Sequence, residues 1–168
     1  MCKDISLRLN SSNFPLRMLS VYNDEYFMKL ALAEARKAEL AGEIPIGAVL
    51  VHHHKILAKT HNQTELLHDV TAHAEMLAIT SGSEFLGSKY LKNCSLYITL
   101  EPCVMCAGAL RWAQISRVVY AAEDDKMGFM RYGKTLLHPK TQVEYGLCSE
   151  EASELLTRFF RNKRIHKT

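Results

Sequence analysis

A chain of 168 residues with 48% hydrophobic and 23% charged side chains is long enough to bury one core of its own, and that usage excludes collagen-like, disordered and disulfide-dense classes. The net charge of +3 is too weak to argue for a polyanionic partner by itself. No polar-free run approaches the roughly 18 residues of a membrane span, and residues 1–21 lack the apolar stretch and cleavage site of a secretory signal, so a cytoplasmic protein is expected.

Residues 1–21 mix polar and apolar types without a period and are expected to form an irregular leader, with one domain over residues 22–168. From Asp24, the three-to-four spacing of Phe27, Leu30, Ala31, Ala35 and Ala38 predicts a helix, with Asp24 as its cap and Gly42 at its end. Ile44 to Val51 and Lys55 to His61 predict a hairpin. The intervening His52, His53 and His54 read as a solvated turn rather than a metal tract, because consecutive strand residues face opposite ways.

Asn62 to Val70 reads as a loop, and a second helix begins near Thr71 with Gly82 as its stop. Ser95 to Leu100 predicts a strand. A helix follows over Cys103 to Ala113 with Pro102 in its first turn, then a strand over Arg117 to Ala122. Val143 to Leu147 reads as a short strand, and Glu150 to Lys163 as a closing helix with acids early and bases late. This order predicts an α/β fold, a sheet covered by helices.

Five cysteines is an odd count, and Cys2, Cys94 and Cys148 read as small buried or incidental thiols. Cys103 and Cys106 differ, because an i, i+3 pair at a helix start puts both sulfurs on one face. Alone, the pair fits a metal site, a redox couple or two buried thiols. His73-Ala74-Glu75 at another helix start shifts the balance to metal: one imidazole and two thiolates make three ligands of tetrahedral zinc and leave the fourth position for water. Glu75 points away from His73 on the helical wheel, as a proton-moving acid beside that water would. His-x-Glu with Pro-Cys-x-x-Cys is the signature of zinc-dependent base deaminases.

The segments 71–75 (TAHAE) and 99–109 (TLEPCVMCAGA), with 44–51 (IPIGAVLV), Asn62, 117–120 (RVVY), 137–139 (LHP) and 159–161 (FFR), closely resemble the bacterial tRNA-specific adenosine deaminases over roughly residues 22–165. The resemblance implies a cytidine deaminase-like three-layer α/β/α fold with a mixed five-stranded sheet, one Zn2+ per subunit, and a homodimer that binds the tRNA anticodon arm through both subunits. It implies conversion of the wobble adenosine to inosine, with the nucleotide flipped into the zinc pocket. It further implies that Asn62 hydrogen-bonds the base, that Ile46 and Leu100 line the pocket, and that Asp124 and His138 lie near the substrate. Segment 128–133 (GFMRYG) departs from the family's small-residue loop, and Gln63 and Val70 stand where the family commonly has arginine and proline.

Arg131, Tyr132 and Lys134 suit either RNA contact or a solvated loop, and the basic group Arg158, Arg161, Lys163, Arg164 and Lys167 suits either an RNA stem or the helix end. Two other readings remain open at this point: a deaminase of free guanine, cytosine or their nucleosides, and a non-catalytic RNA-binding module stabilised by zinc.

Overall fold

A computed structural model describes residues 22–165; the expected leader over residues 1–21 and Lys167 of the basic group lie outside the described residues. Helix α1 (Asp24–Leu40) is capped by Asn23, whose side chain accepts from the Tyr26 N–H at 2.8 Å, and not by Asp24 as the sequence suggested. Asp24 is engaged elsewhere: its carboxylate takes two hydrogen bonds from Arg117, at 2.8 and 2.7 Å, and one from the Tyr97 hydroxyl at 2.6 Å. Gly42, at φ +79°, lies just past the C-terminal end of α1, where only glycine adopts the left-handed turn freely.

Strand β1 (Gly47–His52) starts three residues later than the apolar run suggested, because Pro45 has no N–H to give a ladder and Ile46 turns back to the Ile44 carbonyl at 2.7 Å. Gly47 opens the strand because α1 lies directly on it: a Cβ there would be 2.1 Å from the Ala31 carbonyl oxygen and 2.4 Å from the Ala35 nitrogen. Strand β2 (Lys55–His61) returns antiparallel through His53 and His54, both exposed and both at positive φ, as a tight hairpin turn requires.

Helix α2 (Ala74–Leu86) runs through Gly82 and ends at Gly87, whose φ of +59° makes the left-handed cap. Gly82 is therefore not the expected stop. It is buried against the sheet, where a Cβ would lie 2.1 Å from Leu50 Cδ2, so its missing side chain serves close packing. Strand β3 (Cys94–Leu100) leads to helix α3 (Val104–Trp112), with Cys103 as N-cap, so Pro102 precedes the helix instead of occupying its first turn. Strand β4 (Arg117–Ala122) follows, then two single-turn 3-10 segments over Phe129–Tyr132 and Lys134–Leu136 that the sequence did not reveal. Strand β5 (Gln142–Tyr145) ends at Gly146, φ +96°, and α4 (Ser149–Ile165) closes the described chain.

The sheet order is β2-β1-β3-β4-β5, antiparallel on the β2 and β1 side and parallel from β3 to β5. The strands alternate as a sheet buried on both faces must. Ala48, Leu50, Leu96, Ile98, Val118 and Tyr120 pack with Ala74 and Ala78 of α2 and Ala107 and Leu110 of α3. Val49, Val51, Tyr97, Val119 and Ala121 pack with Phe27, Met28, Ala31 and Leu32 of α1 and Ala152 of α4. This is the expected α/β/α sandwich around a mixed five-stranded sheet. Each fully buried Leu or Ile adds about 1.5–3 kcal/mol, so the two cores, not the exposed ion pairs, carry the stability.

Candidate metal centre

The two helices on one face of the sheet begin side by side, and each begins with a metal-ligand residue type. His73 is the N-cap of α2 and Cys103 the N-cap of α3, both extended, and neither side chain caps its own helix. They turn toward each other instead. His73 Nδ1 is 3.8 Å from Cys103 Sγ and 3.5 Å from Cys106 Sγ, and the three donor atoms all lie within 4.8 Å of one another. A nitrogen and a sulfur sharing one tetrahedral zinc stand about 3.5 Å apart, and two sulfurs about 3.8 Å, so the donor set fits that ion.

The electrostatics agree with the geometry. Hydrogen bonding from the Cys106 thiol, with a further hydrogen bond to His73, holds Cys103 down to about 4, while the same contact and burial push Cys106 far up. The two sulfurs are thus in hydrogen-bond contact. Both would hold a dication as thiolates, since a coordinating thiol is deprotonated outright, and the positive ends of α2 and α3 favour the thiolates further. Contact with Cys103 raises His73, as expected of an imidazole beside a thiolate.

Glu75 completes the group. It is 3% exposed, burial pushes its carboxyl up to about 7, and its Oε2 has no hydrogen-bond partner among the described residues. A buried carboxylate oxygen left unpaired is costly, and such an atom beside three donors is where a substrate or water proton would be received.

Asn62 stands next to this group through the backbone. Its N–H donates to the Ile46 carbonyl at 3.0 Å, and the following Gln63 N–H donates to the Ala72 carbonyl, immediately before His73, at 3.0 Å. Ile46 is half-buried against the α2 and α3 side of the sheet, whereas Leu100 is half-buried against the α1 and α4 side. Asp124 lies in a cleft of about 210 Å3 that Glu101, Arg131 and Tyr145 also line, and that includes none of His73, Cys103 and Cys106. Its loop nevertheless reaches the metal group: Gly128 donates to the Asp124 carbonyl at 2.9 Å and forms a bridge with Cys103. His138 is half-buried and accepts from the Lys140 N–H at 3.3 Å, with no hydrogen bond to the group.

Three buried carboxylates were not evident in the sequence, of which Glu34, 4% exposed, pairs with Lys37 and His61. Glu43, 1% exposed, binds the Asn62 loop, and Glu101, 6% exposed, accepts from the Asp124 and Met130 N–H groups at 3.0 and 2.8 Å. The signal was an acid at the margin of an apolar run, Glu101 directly before Pro102 and Glu43 two residues before Pro45. In the altered 128–133 segment Phe129 is fully buried in the core and Arg131 bonds the Asp125 carbonyl, while Tyr132 remains 64% exposed. Of the basic group, Arg158 is held by Glu39 at 3.1 and 2.8 Å and Lys163 lies over the Phe159 ring, which favours the structural reading for those two.

Comparison with known proteins agrees with this centre. Residues 21–122 match the cytidine and deoxycytidylate deaminase zinc-binding region. The chain is 46% identical to the tRNA-specific adenosine deaminase of Aquifex aeolicus over 145 residues, covering 83% of this chain and 95% of the relative. Among solved structures it is similar, with a TM-score of 0.74 and 44% identity, to one from a study of A-to-I editing by tRNA:A34 deaminases at the wobble position of transfer RNA, covering 78% of this chain and 99% of that one. A guanine deaminase from Bacillus subtilis is also 44% identical, with a TM-score of 0.58 and coverage of 60% of this chain and 65% of the other.

Proposed function

The chain belongs to the cytidine and deoxycytidylate deaminase family, with the tRNA-specific adenosine deaminases as relatives over most of its length, and from that membership we propose that it hydrolyses the wobble adenosine of a tRNA anticodon to inosine and ammonia. The observation that carries the reading is the buried, unpaired Oε2 of Glu75 beside His73, Cys103 and Cys106.

His73, Cys103 and Cys106 would hold one zinc ion, which supplies Lewis-acid activation of the attacking water. Glu75 is the group that moves protons. Its carboxyl, pushed by burial up to about 7, accepts and releases a proton near neutral pH. In the proposed reaction Glu75 takes one proton of the attacking water and gives it to the purine ring nitrogen as the oxygen adds to the ring carbon; it then takes the proton of the added hydroxyl and gives it to the amine, so that the carbon–nitrogen bond breaks, ammonia leaves and a carbonyl remains. Asn62 hydrogen-bonds the base, Ile46 and Leu100 line the pocket, Asp124 lies near the RNA backbone, and His138 lies near the substrate.

The domain takes in residues 22–168, preceded by the leader, and works as a homodimer in the cytoplasm, where tRNA is modified. The outer face of α3 supports pairing: Val104, Met105 and Trp112 are 42%, 37% and 81% exposed, and a Cβ at Gly108 would meet open space. No helix among the described residues is long and apolar enough to cross a membrane.

Free guanine is the competing substrate, favoured by the identity to the Bacillus subtilis guanine deaminase. Purified protein is incubated with a tRNA bearing adenosine at the wobble position and, separately, with guanine, cytosine and adenosine, and inosine and ammonia are measured. Inosine in the tRNA, abolished by Glu75→Ala with zinc retained, is the expected result; turnover of a free base alone overturns it.

A further inference from the structure

Glu43 lies just beyond α1, at the hairpin's entry, and is 1% exposed, yet no cation pairs with it among the described residues. Four hydrogen bonds hold its carboxylate instead. Oε1 accepts from the N–H groups of Glu65 at 2.9 Å and Leu66 at 2.8 Å, and Oε2 accepts from Asn62 Nδ2 at 3.0 Å and Thr64 Oγ1 at 3.1 Å. All four partners are donors, which matches a side chain whose two oxygens only accept.

This arrangement dictates which way the Asn62 amide faces. A carboxylate only accepts, so the amide must turn its NH2 toward Glu43 and its oxygen away. Nδ2 is committed twice, to Glu43 and to Thr64 Oγ1 at 3.1 Å. Oδ1 is not among the buried polar atoms that lack a partner, and makes no hydrogen bond among the described residues, so it is the open end of the amide. The backbone bonds of Asn62 to Ile46 and of Gln63 to Ala72 keep this stretch of chain next to the segment that leads into His73.

We propose that Glu43 is a positioning residue that locks the Asn62 amide with its oxygen toward the substrate, so that the site requires a hydrogen-bond donor, an N–H or a ribose hydroxyl, at that point of the nucleoside. The assignment rests on the reading that Asn62 meets the substrate. It makes Glu43 a determinant of specificity without substrate contact: a carboxylate on the far side of the amide selects acceptor over donor on the near side.

Glu43→Gln tests this with little change of shape. The new side chain keeps an oxygen for the Glu65 and Leu66 N–H groups but sets an NH2 against Asn62 Nδ2. Two donors repel, and the Asn62 amide turns over to present its NH2 to the substrate. The expected result with the full-length protein and its tRNA is a fall in kcat/KM of about tenfold or more, chiefly in KM, with zinc content unchanged. Asn62→Asp alone sets two carboxylates face to face and is expected to fall at least as far. The double variant Glu43→Gln with Asn62→Asp restores a donor facing an acceptor and again offers oxygen to the substrate, so its kcat/KM is expected to recover to within about threefold of wild type.

A structural role alone would give a double variant no better than the worse single one, and that result, with Asn62→Ala impaired, overturns the assignment of Glu43 while leaving the substrate contact standing. Should Glu43→Gln fold poorly, the comparison of the double variant with Asn62→Asp alone decides the same question. Full activity of Asn62→Ala removes the substrate contact itself and the proposal with it.

Discussion

Cys106 Sγ stands 3.5 Å from His73 Nδ1 across 33 residues of sequence, the separation expected of two ligands on one tetrahedral zinc. Removing either donor leaves too few ligands for the ion. Cys106→Ala is expected to reduce bound zinc from about one per chain to a small fraction, read by atomic absorption, and to lower the thermal midpoint, because metal binding is part of folding free energy where it orders a site. Retained zinc in that variant would remove Cys106 from the ligand set.

Gly47 and Gly82 test packing in two places of different stiffness. A Cβ at Gly47 meets the α1 backbone at Ala31 and Ala35, whereas a Cβ at Gly82 meets the end of the Leu50 side chain. Backbone yields less readily than a side-chain terminus. Gly47→Ala should cost about 3 kcal/mol in urea unfolding and Gly82→Ala clearly less. Equal costs would show that α1 is not seated on Gly47.

The clamp of Arg117 on Asp24 and Glu144 gives an acid limb to stability. Arg117 lowers both carboxyls, chiefly through its hydrogen bonds. Groups lowered in the folded state stabilise it above their unfolded values and lose that contribution as pH falls through their folded ones. Because the Asp24 side chain is 44% exposed, screening limits its share to about 1 kcal/mol. Asp24→Asn is therefore expected to unfold more easily than wild type at pH 7 by that amount, with the gap closing towards pH 3. A gap that widens in acid contradicts the clamp.

Trp112, 81% exposed at the C-terminal end of α3, is the largest apolar side chain on the face through which the proposed dimer would pair. Trp112→Glu should shift sedimentation from dimer to monomer, with an increase in dimer dissociation constant of about thirtyfold or more, while zinc stays bound. A wild-type protein that sediments as a monomer at micromolar concentration would refute the dimer.

The four helices and five strands were legible in order because apolar period, glycine turns and strand-like runs are local properties, and β4 (Arg117–Ala122) came out at its full length. His73, Glu75, Cys103 and Cys106 were legible for a related reason: the donors' chemistry is written in their side chains, and their spacing is set by helix starts. Boundaries were less so. Gly82 read as a stop because a glycine chosen for close packing looks in sequence like one chosen for a turn, and Asp24 read as a cap because nothing local announces Arg117 from β4.

The sequence by itself determined the periodicities, and with them a sheet covered by helices, and the three donors with an acid two residues from the first. Only the tertiary structure decided what Glu43 and Glu101 do, since the N–H and O–H donors that hold these two buried carboxylates come from loops distant in sequence. Hydrophobic period is carried by each segment alone; the partner of a buried charge is carried by the fold.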